Sequence, residues 1–148
     1  MPSTHSSLIY HIVFSTKDRE IWFLSEFRPK LHAYLGGIVR NTGGTPYAVG
    51  GTGDHAHLLV GLNPTHAIPN FMRTLKAESS KWIKGELNRT AFAWQEGYGI
   101  FTVSASGLET VREYVLGQEE HHRTRTFQEE YLKMLEKSAV DFDRRYLW

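Results

Sequence analysis

The chain reads as an α+β protein, a split β-α-β sandwich with a four- to five-stranded antiparallel sheet and extra C-terminal helices. Two observations carry this. Apolar residues recur with period two in some stretches and at helical spacing in others, in the order β-α-β-β-α-β. The second and third strand-like stretches are separated only by Gly50-Gly51-Thr52-Gly53-Asp54, a tight turn that makes them an antiparallel hairpin.

Each element has its own justification. Residues 8–14 alternate Leu8, Tyr10, Ile12 and Phe14 with Ile9, His11 and Val13, which predicts a strand. Residues 26–39 place Phe27, Leu31, Tyr34, Leu35 and Ile38 at helical spacing, and Gly43-Gly44 ends the helix. Residues 47–50 and 55–62 are the hairpin strands. Pro69 precedes a helix over 70–87, and 97–105 is the fourth strand. After the Ser106-Gly107 break, 108–122 and 127–137 are expected as helices. The sum is a ferredoxin-like core over 8–105, helices on one face, with the C-terminal helices 108–137 completing a single domain of residues 1–148.

Composition narrows the function classes. At 148 residues the chain is long enough for a core without staples, and it has no cysteine, which excludes a disulfide scaffold and thiol catalysis and suits a reducing, cytoplasmic setting. The first residues are polar, without the apolar run of a secretory signal, and no stretch has the length of a membrane span, so no membrane partner is expected. A net charge of +1 excludes a wholly basic binder, so any nucleic-acid contact must come from a local patch.

Three constellations carry chemistry. His55-Ala56-His57 opens an apolar strand just after the glycine-rich turn. Alternation puts both imidazoles on one face, about 7 Å apart at Cα, where they can share a divalent metal across a cleft. An H-x-H pair alone is also compatible with two core histidines. On the helix over 108–122, Tyr114 and Gln118 are i,i+4 neighbours and His121 continues the stripe. This is either a half-buried tyrosine on an amphipathic helix or a nucleophile beside a metal ligand. A tyrosine hydroxyl can attack phosphorus, and a carboxamide oxygen with two nitrogens suits Mg²⁺ or Mn²⁺ better than tetrahedral zinc. Finally, residues 70–89 hold Arg73, Lys76, Lys81, Lys84 and Arg89 against Glu78 and Glu86. Arg73, Lys76, Lys81 and Lys84 fall on one side of the helix, a solvated face or a phosphate-contacting ridge.

Together these stretches resemble a known family. The strand Tyr10-His11-Ile12-Val13-Phe14-Ser15-Thr16-Lys17, the run Asp54-His55-Ala56-His57-Leu58-Leu59, the stretch Leu75-Lys76-Ala77-Glu78-Ser79-Ser80-Lys81-Trp82, and Tyr114 with Gln118 are similar to the single-tyrosine transposases of single-strand insertion sequences. These are His-hydrophobe-His (HUH) nucleases, with REP-associated tyrosine transposases as close relatives. The resemblance runs from about residue 8 to the end, with Ala56 a small member of the hydrophobic position and His121-His122 a competing ligand pair. It implies that Tyr114 attacks a phosphodiester of single-stranded DNA to give a 5′-phosphotyrosine and a free 3′-OH. It implies that His55, His57 and Gln118 hold a Mg²⁺ or Mn²⁺ ion, and that the chain acts on DNA hairpins at element ends as a homodimer. The rival from another class is a non-catalytic, or domesticated, nucleic-acid-binding protein of the same fold, with Tyr10 and Phe14 stacking on bases.

Overall fold

A computed structural model of the chain describes residues 3–122 and 125–147, excluding the side chain of Tyr146. Among the described residues, four strands form one antiparallel sheet: β1 (Leu8–Ser15), β2 (Thr45–Gly51), β3 (His55–Leu62) and β4 (Gly99–Val103), in the order β2-β3-β1-β4. This is the split β-α-β order expected. The two central strands pair over their whole length, from Leu8 opposite Leu62 to Ser15 opposite His55.

Helices α1 (Arg28–Asn41) and α2 (Ile68–Leu87) cover one face. Both start at a proline in the first turn, where the missing N–H costs nothing. Asn88 closes α2 in the left-handed conformation, with φ of 52°. Leu35 of α1, Leu75 of α2 and Leu58 of β3 meet in the main core with no exposure. Each such leucine contributes about 1.5–3 kcal/mol of burial. Phe14 lies in this core fully buried, and Tyr10 packs against it half-buried. The platform that base stacking would need on that face is therefore covered by helices.

The helices are not confined to one face, as the sequence had suggested. Helix α3 (Leu108–Leu116), the single turn α4 (Gln118–His121) and α5 (Phe127–Lys137) cover the opposite face. Val115 packs on Ile9, Ala48 and Leu59, while Phe127, Tyr131 and Leu135 pack on Val13. The helix expected over 108–122 is broken at Gly117, whose ψ of 22° departs from helical geometry. In the link before α3, Ser104 caps a short 3-10 turn by accepting from the Gly107 N–H at 3.1 Å. Among the described residues, no helix is long and apolar enough to cross a membrane.

Candidate active site

Strand parity decides where the site lies. Ala56, Leu58, Val60 and Leu62 of β3 join the core under α1 and α2, so His55 and His57 face α3, α4 and α5. The same parity on β1 brings in His11, diagonal to His57 across the pair. The two rings stack at 5.0 Å between centroids, and His11 Nε2 lies 2.7 Å from His57 Nδ1. His55, His57 and Gln118 are each at most 1% exposed, so they are roofed by the C-terminal helices rather than open to a cleft.

The break at Gly117 places Gln118. In place of a regular helical bond, the Tyr114 carbonyl receives the Gly117 N–H at 3.3 Å and the Gln118 side-chain amide at 3.1 Å. That donation orients the carboxamide, so its oxygen faces His55 Nε2 and His122 Nε2, both at 3.2 Å. Helix α4 is tied down from the far side by Arg28, which reaches Glu119 at 3.0 Å.

The electrostatics follow from burial. The Asp54 carboxylate lies 2.8 Å from His55 Nδ1. This partner fixes the ring so that Nε2 faces the Gln118 oxygen. Burial would raise the Asp54 carboxyl, but its hydrogen bond and charge interaction with His55 hold it below its ordinary value. Burial pushes His57 down to about 3 and His11 to about 4, opposed in both by the Glu130 carboxylate. Both rings are therefore neutral at pH 7.

Glu130 of α5 is the residue that sequence reasoning missed. It is 5% exposed, its Oε1 is 2.7 Å from His57 Nε2, and its Oε2 is 2.7 Å from His122 Nε2. Burial alone would raise its pKa, but His122 and His57 hold it well below the carboxylate range. His122 is in turn raised, because Glu130 outweighs the cost of its burial. A signal was present: an acid stands in the stripe Phe127, Tyr131 and Met134 of an amphipathic helix, where an apolar residue belongs. His122, not His121, is the histidine of that pair that joins the cluster, while the His121 ring lies 4.4 Å from the Tyr114 ring.

The donor set fits a metal ion. His57 Nε2 and Glu130 Oε1 are buried and 2.7 Å apart, yet neither has a properly aligned hydrogen bond. The His55 Nε2 and the Gln118 oxygen face each other at 3.2 Å. Ligand atoms of His55, His122 and Glu130 all lie within 4.8 Å of one another. Such a convergence of nitrogen and oxygen ligands, two of them without an aligned partner, can hold a cation.

Tyr114 lies against this cluster, its ring 5.7 Å from His57 and 5.9 Å from His11, edge-on to both. Burial raises its hydroxyl pKa, and the neighbouring Glu130 charge raises it further. Tyr114, Glu130 and His11 line a cavity of about 580 Å³ together with Arg125, Lys133 and Lys137. The basic helix is elsewhere. Because α2 covers the other face of the sheet, Arg73, Lys76, Lys81 and Lys84 do not converge on the histidines. Arg73 and Lys81 are exposed and Lys84 is half-buried. The Lys76 ammonium is committed to the chain itself: it donates to the carbonyls of Gln95, Glu96 and Gly97 at 2.8, 3.2 and 2.6 Å. Burial lowers its pKa to about 8. Lys76 is thus a clamp on the 95–97 loop rather than part of a phosphate ridge.

The sheet thus carries paired histidines, a tyrosine beside them and a cation-lined cavity. Residues 4–118 match the IS200-like transposase family, and the chain belongs to it. It is therefore a transposase, an enzyme that cuts and rejoins DNA. It is 27% identical over 117 residues to the ISDra2 transposase TnpA of Deinococcus radiodurans, covering 75% of this chain and 84% of that protein. A crystal structure of a Deinococcus radiodurans R1 protein described as a transposase superposes with a TM-score of 0.64 at 26% identity, over 78% of this chain and 93% of that one. A REP-associated tyrosine transposase bound to a REP hairpin shares the fold, with a TM-score of 0.54 at 12% identity over 78% of this chain and 70% of that one.

Proposed function

We propose that this transposase cleaves and rejoins single-stranded DNA through Tyr114. The observation that carries the reading is the position of Tyr114, between buried neutral histidines and a cavity lined by Arg125, Lys133 and Lys137. Those cations suit the phosphates on either side of a scissile bond. The Tyr114 oxygen attacks phosphorus and gives up its proton. The P–O3′ bond breaks, leaving a 5′-phosphotyrosine and a 3′-oxygen that takes up a proton to become a 3′-OH. A second 3′-OH reverses the same step and rejoins the strand, so no external energy source is needed. His55, His57 and Gln118 would hold a Mg²⁺ or Mn²⁺ ion, which when bound acts as a Lewis acid on the scissile phosphate.

The DNA partner in this reading is a hairpin at the element ends, as for the REP-associated relative, whose structure holds a REP hairpin. Arg73, Lys81 and Lys84, on the far side of the sheet from Tyr114, would contact the hairpin away from the cleavage point. The enzyme acts as a homodimer, because moving a segment requires cutting two ends and the chain has one tyrosine so placed. In this arrangement each Tyr114 serves the histidines of its own chain, against which it packs.

The test is a suicide substrate: labelled single-stranded hairpin DNA with Mg²⁺, resolved on a denaturing gel. The wild type should form a covalent adduct. Tyr114→Phe should bind the DNA and form none. An adduct in Tyr114→Phe would remove Tyr114 from its role, and cleavage without any adduct in the wild type would assign the attack to water.

A further inference from the structure

We propose that Glu130, from the C-terminal helix α5, is the anionic ligand of the divalent cation. The inference rests on the reading that His55, His57 and Gln118 hold that ion, and it changes the chemistry of the site. Two neutral imidazoles and a carboxamide bring no charge to a dication in a buried pocket. Hard cations such as Mg²⁺ and Mn²⁺ favour carboxylate oxygen, and a charge taken out of water must be compensated.

Glu130 meets both needs. Its carboxylate is 5% exposed and sits on the apolar stripe of α5 between Phe127 and Tyr131. It reaches over the sheet to His57 at 2.7 Å, where the two facing atoms lack a hydrogen-bond alignment. Its second oxygen is held by His122 at 2.7 Å, and the His122 Nδ1–H donates to the Arg125 carbonyl at 2.8 Å. One oxygen is therefore oriented by a neighbour while the other points at the histidine pair, the usual division between a ligating atom and the atom that steadies it. Helix α5 lies beyond residues 4–118, the part that matches the family model.

Mn²⁺ binding to the full chain tests this, followed by calorimetry and by the loss of the free-ion EPR signal. Wild type should bind one ion. Glu130→Gln, of the same shape without the charge, should weaken binding at least tenfold with an unchanged far-UV spectrum, while Glu129→Gln, one residue away on the exposed side, should not. Equal or tighter binding by Glu130→Gln would overturn the proposal and make Glu130 a counter-charge to the histidines that competes with metal. A His55→Ala, His57→Ala double variant separates the two readings. If it keeps wild-type affinity, the histidine assignment fails. If it loses affinity while Glu130→Gln does not, only the present proposal fails. In the unmutated protein, Mg²⁺ should shift a carboxylate stretching band in the infrared, and a difference spectrum without carboxylate bands would overturn the proposal even if Glu130→Gln does not fold.

Discussion

Substituting Gly50 should disable the enzyme without touching any reacting group. Gly50 lies in β2 directly opposite His57, and α3 rests on its backbone. A Cβ there would stand 2.0 Å from the Val115 carbonyl oxygen. That obstacle is helix backbone, so no rotamer relieves it. Ordinary contact begins near 3.4 Å, and α3 would have to lift by about 1.4 Å. Val115 is the neighbour of Tyr114, so the proposed nucleophile lifts with it. Overpacking of this kind costs about 1–3 kcal/mol, or a fall in melting temperature of a few to about 10 °C. A displacement of about 1 Å at a reacting group costs on the order of 10²-fold in rate. Gly50→Ala should therefore remain folded in a thermal melt but form the DNA adduct about 10²-fold more slowly. Gly37→Ala is the control. It sits in α1 with nothing within 4 Å of the added carbon, and it should gain about 0.5–1 kcal/mol with unchanged adduct formation. Wild-type adduct kinetics in Gly50→Ala would refute the idea that the close seat of α3 on β2 positions Tyr114.

Three further outcomes are expected. If the exposed cations of α2 touch phosphates, Arg73→Gln with Lys81→Gln should flatten the slope of log affinity against log salt for hairpin DNA by about 1.4–1.8, and an unchanged slope would move the contacts to Arg125, Lys133 and Lys137. Burial, then the Arg28 charge, lowers His32 to about 4 from 6.5. The unfolded chain therefore takes up a proton at His32 first, and this contribution, complete above pH 6.5, is lost as pH falls from 6.5 towards 4 at up to about 1.4 kcal/mol per pH unit. Urea unfolding across that range should show a shallower pH dependence in His32→Gln, and an equal slope would mean His32 is solvated. Because Tyr114 packs on the histidines of its own chain, mixing Tyr114→Phe chains with His57→Ala chains should restore no adduct. Restored adduct would show that sites assemble between chains, and a strictly monomeric mass at micromolar concentration would remove the dimer altogether.

What could be read from the sequence, and what could not, divides along a physical line. The order of elements was legible because strands and helices imprint periods of 2 and 3.6 on apolar residues, and those periods need only local information. His55 and His57 share a face by the same arithmetic, and Tyr114 and Gln118 sit one turn apart even across the break at Gly117. Glu130 and His11 are single residues whose partners lie 73 and 46 positions away, at His57 in both cases, and no local period announces such a meeting. The basic helix was misplaced for a related reason. Helical arithmetic says which residues leave the core, but not which side of the sheet the helix covers.

That last point was in fact recoverable from the chain. Right-handed crossovers put α1 and α2 of a split β-α-β unit on one face. In β3 the residues facing them must be apolar, and Ala56, Leu58, Val60 and Leu62 are. His55 and His57 alternate with those residues, so they necessarily face away from α1 and α2, and no cation on α2 could reach them. The site had to be closed by whatever followed the fourth strand. The only acid in that later stretch that stands on a stripe of buried apolar residues, among those described, is Glu130. Strand parity and one misplaced charge on a helix therefore lead to the same place, the space between β3 and α5 where the histidines, the carboxamide and the carboxylate converge beside Tyr114.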